Sequence, residues 1–246
     1  MPTTVSTAAA LLIGNELLSG KVEDRNLAPL AATLRALGIR LERALIVGDD
    51  PAQIGLEVRG LSERYDVVFT SGGVGPTHDD VTLEGVAAGF GVPMTVHPHL
   101  AALLRGVYGA GCTPDHLLMA RVPVGSELKE SPDVKWPTVV TRNVWIMPGV
   151  PELFRMKLVI VREHLVGPSP IVSRALFTHM DETDLKPLLD RVVAGHASIE
   201  IGSYPKWFDQ AYKTKVTFDG SVEDRVDAAL EELVALLPAG TVARRS

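Results

Sequence analysis

Apolar residues follow two rhythms along the first two thirds of the chain, and these predict alternating strands and helices. Short continuous apolar runs at residues 5–13, 41–47 and 66–70 read as strands buried on both faces. Between them, Leu27, Leu30, Ala31 and Leu34 recur at helical spacing, with Asn26 as N-cap, Pro29 in the first turn and Gly38 as terminator. Asp50 with Gln53 forms a capping-box pattern for a helix over 54–64, and Pro51 takes its first position. Leu83, Val86, Ala87 and Phe90 predict another helix, capped by Thr82 and closed by Gly91. Strands and helices alternating across short connections define a doubly wound, mostly parallel α/β sheet.

Later segments continue the pattern less regularly. Two short helical patterns over 98–118 are broken at 109–114, and the proline-rich stretch 123–137 reads as a loop. Segments 138–141 and 143–147 predict a strand and its partner, followed by a helix from Pro151 with the stripe Leu153, Met156 and Ile160. Residues 167–170, Gly-Pro-Ser-Pro, mark a boundary between an α/β domain over 1–167 and a small α+β domain over 168–246. The second is expected to hold strands at 171–179, 198–203 and 211–218 and a helix at 181–194. Its last helix is expected to be capped by Ser221 with Asp224, with Val222, Val226, Leu230, Leu233 and Leu237 along one stripe.

Composition narrows the classes. A formal net charge of −6 over 246 residues argues against a nucleic-acid partner. The apolar run at 8–13 is too short to span a membrane, and Cys112, the one cysteine, excludes an intrachain disulfide. A cytoplasmic protein with no membrane partner is expected.

Chemistry gathers at the strand ends, which share one edge in a parallel sheet. The third strand runs into Ser71-Gly72-Gly73-Val74-Gly75-Pro76-Thr77-His78-Asp79-Asp80. Glycines let backbone amides face an anion, and the following helix dipole adds positive potential. Asp79 and Asp80 suit a hard cation bridging to phosphate oxygens; the same residues also suit a tight turn with an acidic helix start. Asn15 and Glu16, Asp49, and Pro148-Gly149 end the other strands, and Asp49 is left for chemistry because Asp50 has a capping role. Carboxylates beside a glycine loop fit a phosphate ester held with a divalent metal. No Walker lysine, G-x-G-x-x-G or G-x-S-x-G pattern is present, and His97, His99 and His116 match no metal-ligand spacing. Tyr204-Pro205-Lys206-Trp207 forms an aromatic, basic turn, with Lys213 and Lys215 on one face of the following strand, either solvated or meeting an anion.

The stretch Ser71-Gly72-Gly73-Val74-Gly75-Pro76-Thr77-His78-Asp79-Asp80-Val81-Thr82 resembles the signature of the CinA-type competence/damage-inducible family, a branch of the molybdopterin-binding domain superfamily. Gly14-Asn15-Glu16-Leu17-Leu18-Ser19-Gly20, Arg142-Asn143 and Pro148-Gly149-Val150-Pro151-Glu152 match its other motifs in order. Gly202-Ser203-Tyr204-Pro205 and Lys215 resemble the second part of the molybdopterin-binding-like half of eukaryotic FAD synthase. The resemblance implies a MogA/MoaB-like fold in a homo-oligomer, a dimer or trimer. It also implies a metal-dependent pyrophosphatase, using magnesium, manganese or cobalt, that cleaves a nucleotide such as ADP-ribose or FAD to AMP.

By the same resemblance Asp79 and Asp80 hold metal, with Asp49 and Asp80 catalytic. Substrate contacts then fall to Asn15, Glu16, Ser71, Gly72, Gly73, Val74, Gly75, Pro76, Thr77, His78, Pro148, Gly149, Tyr204 and Lys215. The deamidase domain of full-length CinA proteins and the transferase domain of FAD synthase have no counterpart in these 246 residues, so neither activity is expected. Two alternatives use the same loop: a molybdopterin adenylyltransferase, in which an arginine usually stands where this chain has His78, and a non-catalytic nucleotide- or pterin-binding module.

Overall fold

The structure, a computed structural model, describes residues 1–207 and 211–246. In chain order the first part contains β1 (Thr3–Thr4), β2 (Thr7–Ile13), α1 (Asn15–Leu18), α2 (Leu27–Ala36), β3 (Arg40–Val47), α3 (Pro51–Ser62), β4 (Val67–Ser71) and α4 (Thr82–Phe90). Then follow β5 (Met94–Val96), α5 (Pro98–Tyr108), α6 (Pro114–Leu118), β6 (Arg121–Pro123), β7 (Ser126–Ser131), β8 (Val134–Thr141), β9 (Val144–Ile146), α7 (Pro151–His164) and β10 (Leu165–Val166). The last part holds β11 (Val172–Thr178), α8 (Glu182–Gly195), β12 (Glu200–Pro205), β13 (Thr214–Gly220), α9 (Glu223–Leu236) and β14 (Val242–Arg245). Contacts divide the chain into two units, Met1–Pro168 and Ser169–Ser246.

The first unit is built on a sheet of order β3-β2-β4-β9-β8-β7, parallel from β3 to β9 and antiparallel beyond. Period-two alternation sorts β2 onto two cores. Ala8, Ala10 and Leu12 pack with Leu30 and Leu34 of α2 and Phe154 and Leu158 of α7. Ala9, Leu11 and Ile13 pack with Ile54 and Val58 of α3, Val86 of α4 and Leu100 of α5. The backbones of α3 and α4 meet closely, since a Cβ on Gly89 would stand 2.5 Å from Gly55 O. That contact fixes α4, whose first turn closes the glycine loop. In the second unit the antiparallel order β12-β13-β11-β14 presents Leu176, Val216 and Phe218 to Leu185 and Val192 of α8 and Val226, Leu230 and Leu233 of α9.

Several local expectations change. Residues 123–137 form strands rather than a loop: β7 pairs with β8, and Pro137 falls in the register shift between Lys129 and Ser131, where a missing amide costs no ladder bond. Residues 14–20 include the short helix α1. Asp24, not Asn26, caps α2, its Oδ2 accepting from Leu27 N at 2.9 Å. Asp50 caps α3 through Ala52 N at 2.8 Å, without a capping box. Val222 starts α9 with no side-chain cap, so the pair Ser221 and Asp224 is not used. The short edge strand β14 has only Val242 and Ala243 as apolar positions and gave no periodic signal.

Asp66 ties the start of β4 to β2. Its Oδ2 accepts from Ser6 N at 2.8 Å and Thr7 N at 3.0 Å, while Asp66 N donates to Thr7 Oγ1 at 3.1 Å. Those amides hold its carboxyl below the usual aspartate value. A carboxyl lowered on folding stabilises above its unfolded pKa, and the contribution disappears as pH falls through the folded value. Asp66→Asn is therefore expected to cost about 1 kcal/mol at pH 7. In urea unfolding at a series of pH values, the gap between wild type and variant should close on acidification below about pH 4.

Candidate functional site

The chain leaves β2 toward β3 and leaves β4 toward the opposite side of the sheet, so the loops after β2 and β4 flank a topological switch point. Gly72, first in the second of these loops, has φ 110°, and a Cβ there would stand 2.2 Å from Ile13 O. A Cβ on Gly149, just after β9, would meet Gly72 Cα at 3.1 Å. Three strand ends thus touch backbone to backbone, a closeness that only residues without a side chain permit.

Asn26 fastens this junction. It is 4% exposed, and its Nδ2 donates to Ser71 Oγ at 2.9 Å and Gly149 O at 2.7 Å. Its Oδ1 is buried without a partner among the described residues. Thr82 begins α4 rather than capping it, its hydroxyl donating to Gly72 O at 2.7 Å.

Beyond that anchor the loop is open. Gly72 N donates to Met147 O and Thr82 N to Gly73 O, but the amides of Gly73, Val74 and Gly75 meet no acceptor among the described residues. Thr77 gathers the acids: its Oγ1 lies 2.6 Å from Asp79 Oδ1 and 2.5 Å from Asp80 Oδ2, and its amide donates to Asp80 Oδ2 at 2.9 Å. The Thr77 hydroxyl holds the Asp79 carboxyl below its ordinary value, so it is ionised at neutral pH.

A cavity of about 900 Å³ opens on this loop. It is lined by Glu16, Gly72, Gly73, Val74, Gly75, Pro76, Asp80, Pro148 and Gly149 from the expected set. Asn15, Asp49, Ser71, Thr77, His78 and Asp79 lie off its wall. Ser71 is occupied by Asn26, and Asp49 Oδ2 accepts from Asn15 N at 2.9 Å, which fixes the start of α1 and so places Glu16. Tyr204 and Lys215 face each other across β12 and β13 of the second unit, with Lys215 Nζ 5.8 Å from the Phe177 ring centroid; Lys213 pairs with Asp181 at 2.8 Å. His97 caps α5, His116 completes a capping box with Thr113 at the start of α6, and His99 lies 3.3 Å from Glu130.

The remaining wall was not anticipated from sequence. Leu153 and Met156, expected in the core, are 48% and 49% exposed and face the cavity with Trp136. The buried side of α7 is Phe154, Lys157, Leu158, Ile160 and Val161, so of the expected stripe Ile160 is in the core and Leu153 and Met156 are not. Lys157 also lines the cavity, at 8% exposure, with Nζ donating to Trp136 O and, at 2.7 Å, to Pro137 O. Burial pushes its pKa down to about 8, so at pH 7 the ammonium is the majority form.

No group of three or more His, Cys, Asp or Glu side chains is placed to hold a metal among the described residues. The two carboxylates fit a hard divalent cation nonetheless. The Thr77 hydroxyl and amide hold Asp79 Oδ1 and Asp80 Oδ2 close together, and magnesium-type ions commonly take one or two carboxylates and complete their shell with phosphate oxygens and water.

An open α/β domain with a glycine loop and paired acids at its switch point has its candidate site where ligands of open sheets gather. Residues 9–166 match the family model described as probable molybdopterin binding domain, and residues 170–246 match that of the FAD synthase middle domain. The solved structure of CinA from Thermoplasma acidophilum, a protein of unknown function, superposes with a TM-score of 0.59 at 32% identity, covering 65% of this chain and 98% of that one. A CinA-like protein of Myxococcus xanthus is 39% identical over 60% of this chain and 37% of its own length. A probable FAD synthase of Caenorhabditis elegans is 30% identical over 94% of this chain, which spans 50% of that protein. The chain belongs to the molybdopterin-binding domain family, in its CinA-type branch, with that domain followed by a domain of the FAD synthase middle type. No helix among the described residues is long and apolar enough to cross a membrane.

Asn26→Ala removes one buried and one partly buried hydrogen bond, so a loss of about 1 to 2 kcal/mol is expected. Urea denaturation of the variant checks it, and a midpoint equal to wild type would refute the junction.

Proposed function

We propose that the chain is a metal-dependent nucleotide pyrophosphatase, hydrolysing a dinucleotide such as ADP-ribose or FAD to AMP. The observation that carries this reading is the shared wall: the uncommitted amides of residues 73–75 and the Asp80 carboxylate open on one cavity. Backbone amides favour an anion and a carboxylate disfavours it, so the pair makes chemical sense where a cation accompanies the anion. The family relationship to FAD synthase, an enzyme name attached to nucleotide chemistry, supports the substrate class.

On this reading the amides of residues 73–75 hold diphosphate oxygens, with the first turn of α4 adding positive potential. Asp79 and Asp80 would hold magnesium, manganese or cobalt, which when bound neutralises phosphate oxygens and lowers the pKa of water. Thr77 keeps both carboxylates turned to the same side. Asp49 works at one remove, anchoring α1 so that Glu16 borders the phosphate end. Water adds to phosphorus, the anhydride P–O bond breaks, and two phosphomonoesters leave with release of the water's protons.

Asp80→Asn is expected to lower AMP release from ADP-ribose or FAD by about 100-fold or more in the presence of magnesium, manganese or cobalt. The melting temperature should stay close to wild type, because the residue sits in a surface loop. Turnover unchanged in both Asp79→Asn and Asp80→Asn would overturn the assignment, and ATP-dependent adenylation of a pterin would point to a transferase instead.

A further inference from the structure

The second unit runs β-α-β-β-α-β, and its strand order β12-β13-β11-β14 is that of a split βαβ sheet with both helices on one face. Leu176, Val216 and Phe218 point to α8 and α9, so the residues that alternate with them form the other, open face. Strand register lines up one row across that face: Tyr204 opposite Lys215, Lys215 opposite Phe177, and Phe177 opposite Arg244. Phe177 is 5% exposed and forms the floor of the row. The Arg244 guanidinium lies 3.9 Å and the Lys215 ammonium 5.8 Å from its ring centroid, and Tyr212 meets it edge-on at 4.8 Å. Tyr204 lies back over Gly202, where a Cβ would stand 2.9 Å from the phenol oxygen and 3.1 Å from the ring. Without a side chain at 202 the ring lies along the sheet, and the residue is 56% exposed.

Charge separates the two faces of the unit. Off the row, Arg174 pairs with Glu223 and Asp227, Lys213 with Asp181, and Arg245 with Glu231. Among the described residues no carboxylate pairs with Lys215 or Arg244. Behind the sheet, α8 carries Glu182, Asp184 and Asp190, and α9 carries Glu223, Asp227 and Glu231. Glu200 and Asp219 share the open face but stand four residues further along the same strands. The net charge of −6 is thus an average over a chain that holds one basic row. Three strand spacings make that row about 14 Å long, which accommodates about four nucleotides at a stacked rise of about 3.4 Å. A polyanion crossing the strands along the row meets both cations; one running along a strand meets Glu200 or Asp219.

We propose that the open face of this sheet binds single-stranded nucleic acid, with Lys215 and Arg244 on backbone phosphates and Tyr204 stacked on a base. Aromatic and basic side chains on the open face of a four-stranded sheet suit unpaired bases, which have a free π-face to offer. All of these residues belong to the second unit, so the site stands whether or not the first unit hydrolyses a nucleotide.

The test is fluorescence anisotropy of the full chain with a labelled oligo(dT) of about 12 nucleotides, from about 50 to 200 mM NaCl. Wild type should bind with a Kd of about 100 μM or tighter at the low-salt end, and log K should fall against log salt with a slope of about −1.4, as for two phosphate contacts. Lys215→Ala and Arg244→Ala should each weaken binding and bring the slope to about −0.7. Tyr204→Ala should weaken it about fivefold or more with the slope unchanged, which separates stacking from charge. Gly202→Val keeps the phenol but displaces it, and should weaken binding as much as Tyr204→Ala. Tyr204 and Arg244 are exposed, so their variants keep the fold, and a thermal melt by circular dichroism checks each variant. No binding by wild type at low salt, or binding indifferent to Tyr204→Ala, overturns the proposal. A duplex of the same length bound as tightly as the single strand overturns it too. So does displacement of the oligonucleotide equally well by polyglutamate or by AMP at matched charge, which would assign the row to an acidic protein segment or to a free nucleotide.

Discussion

Everything at the working edge depends on three strand ends being allowed to touch. Gly72 lies against Ile13 O, Gly149 against Gly72, and the Asn26 amide bonds across to Ser71 and Gly149. Closely packed backbone removes room for side chains, so the loop after β4 must rise away from the sheet. It therefore presents its next amides to open space instead of to the ladder. The open amides of residues 73–75 follow from that steric constraint, and no charged side chain is needed to free them.

Much of this was legible in the residue pattern, because buried parallel strands and glycine turns leave strong local signals. β2, β3 and β4 and the loop between β4 and α4 stand where apolar runs and glycines put them. Long-range contacts left no such trace. Asn26 precedes a helix and so resembles a cap, yet Asp24 takes that work and frees Asn26 for bonds 45 and 123 residues away. Asp49 was singled out because its neighbour Asp50 was occupied, and its bond from the Asn15 amide, 34 residues earlier, left no local signal. Arg142-Asn143, part of the family signature, forms the turn between β8 and β9, where Asn143 bonds Ser62 O and Tyr65 O. A signature can thus preserve architecture as readily as chemistry.

Proline misled in the opposite sense. Pro123 and Pro137 made residues 123–137 look unstructured, but one ends β6 and the other sits at the irregularity of the β7–β8 pair. At such an irregularity the carbonyls of Trp136 and Pro137 are not held by a regular ladder, and the Lys157 ammonium takes them. The bulge therefore carries Trp136 to the cavity wall and gives the buried lysine its anchors.

The helix α7 shows how a stripe can be read from the wrong side. Leu153, Met156 and Ile160 and the set Phe154, Lys157, Leu158 and Val161 both repeat at helical spacing. Hydrophobicity alone prefers the first, because the second contains a charge. The chain buries the charged set together with Ile160 and leaves Leu153 and Met156 half exposed on the cavity wall. Lys157 can stay buried because two backbone carbonyls, Trp136 O and Pro137 O, accept from its ammonium, while Leu153 and Met156 border an open cavity instead of packed chain.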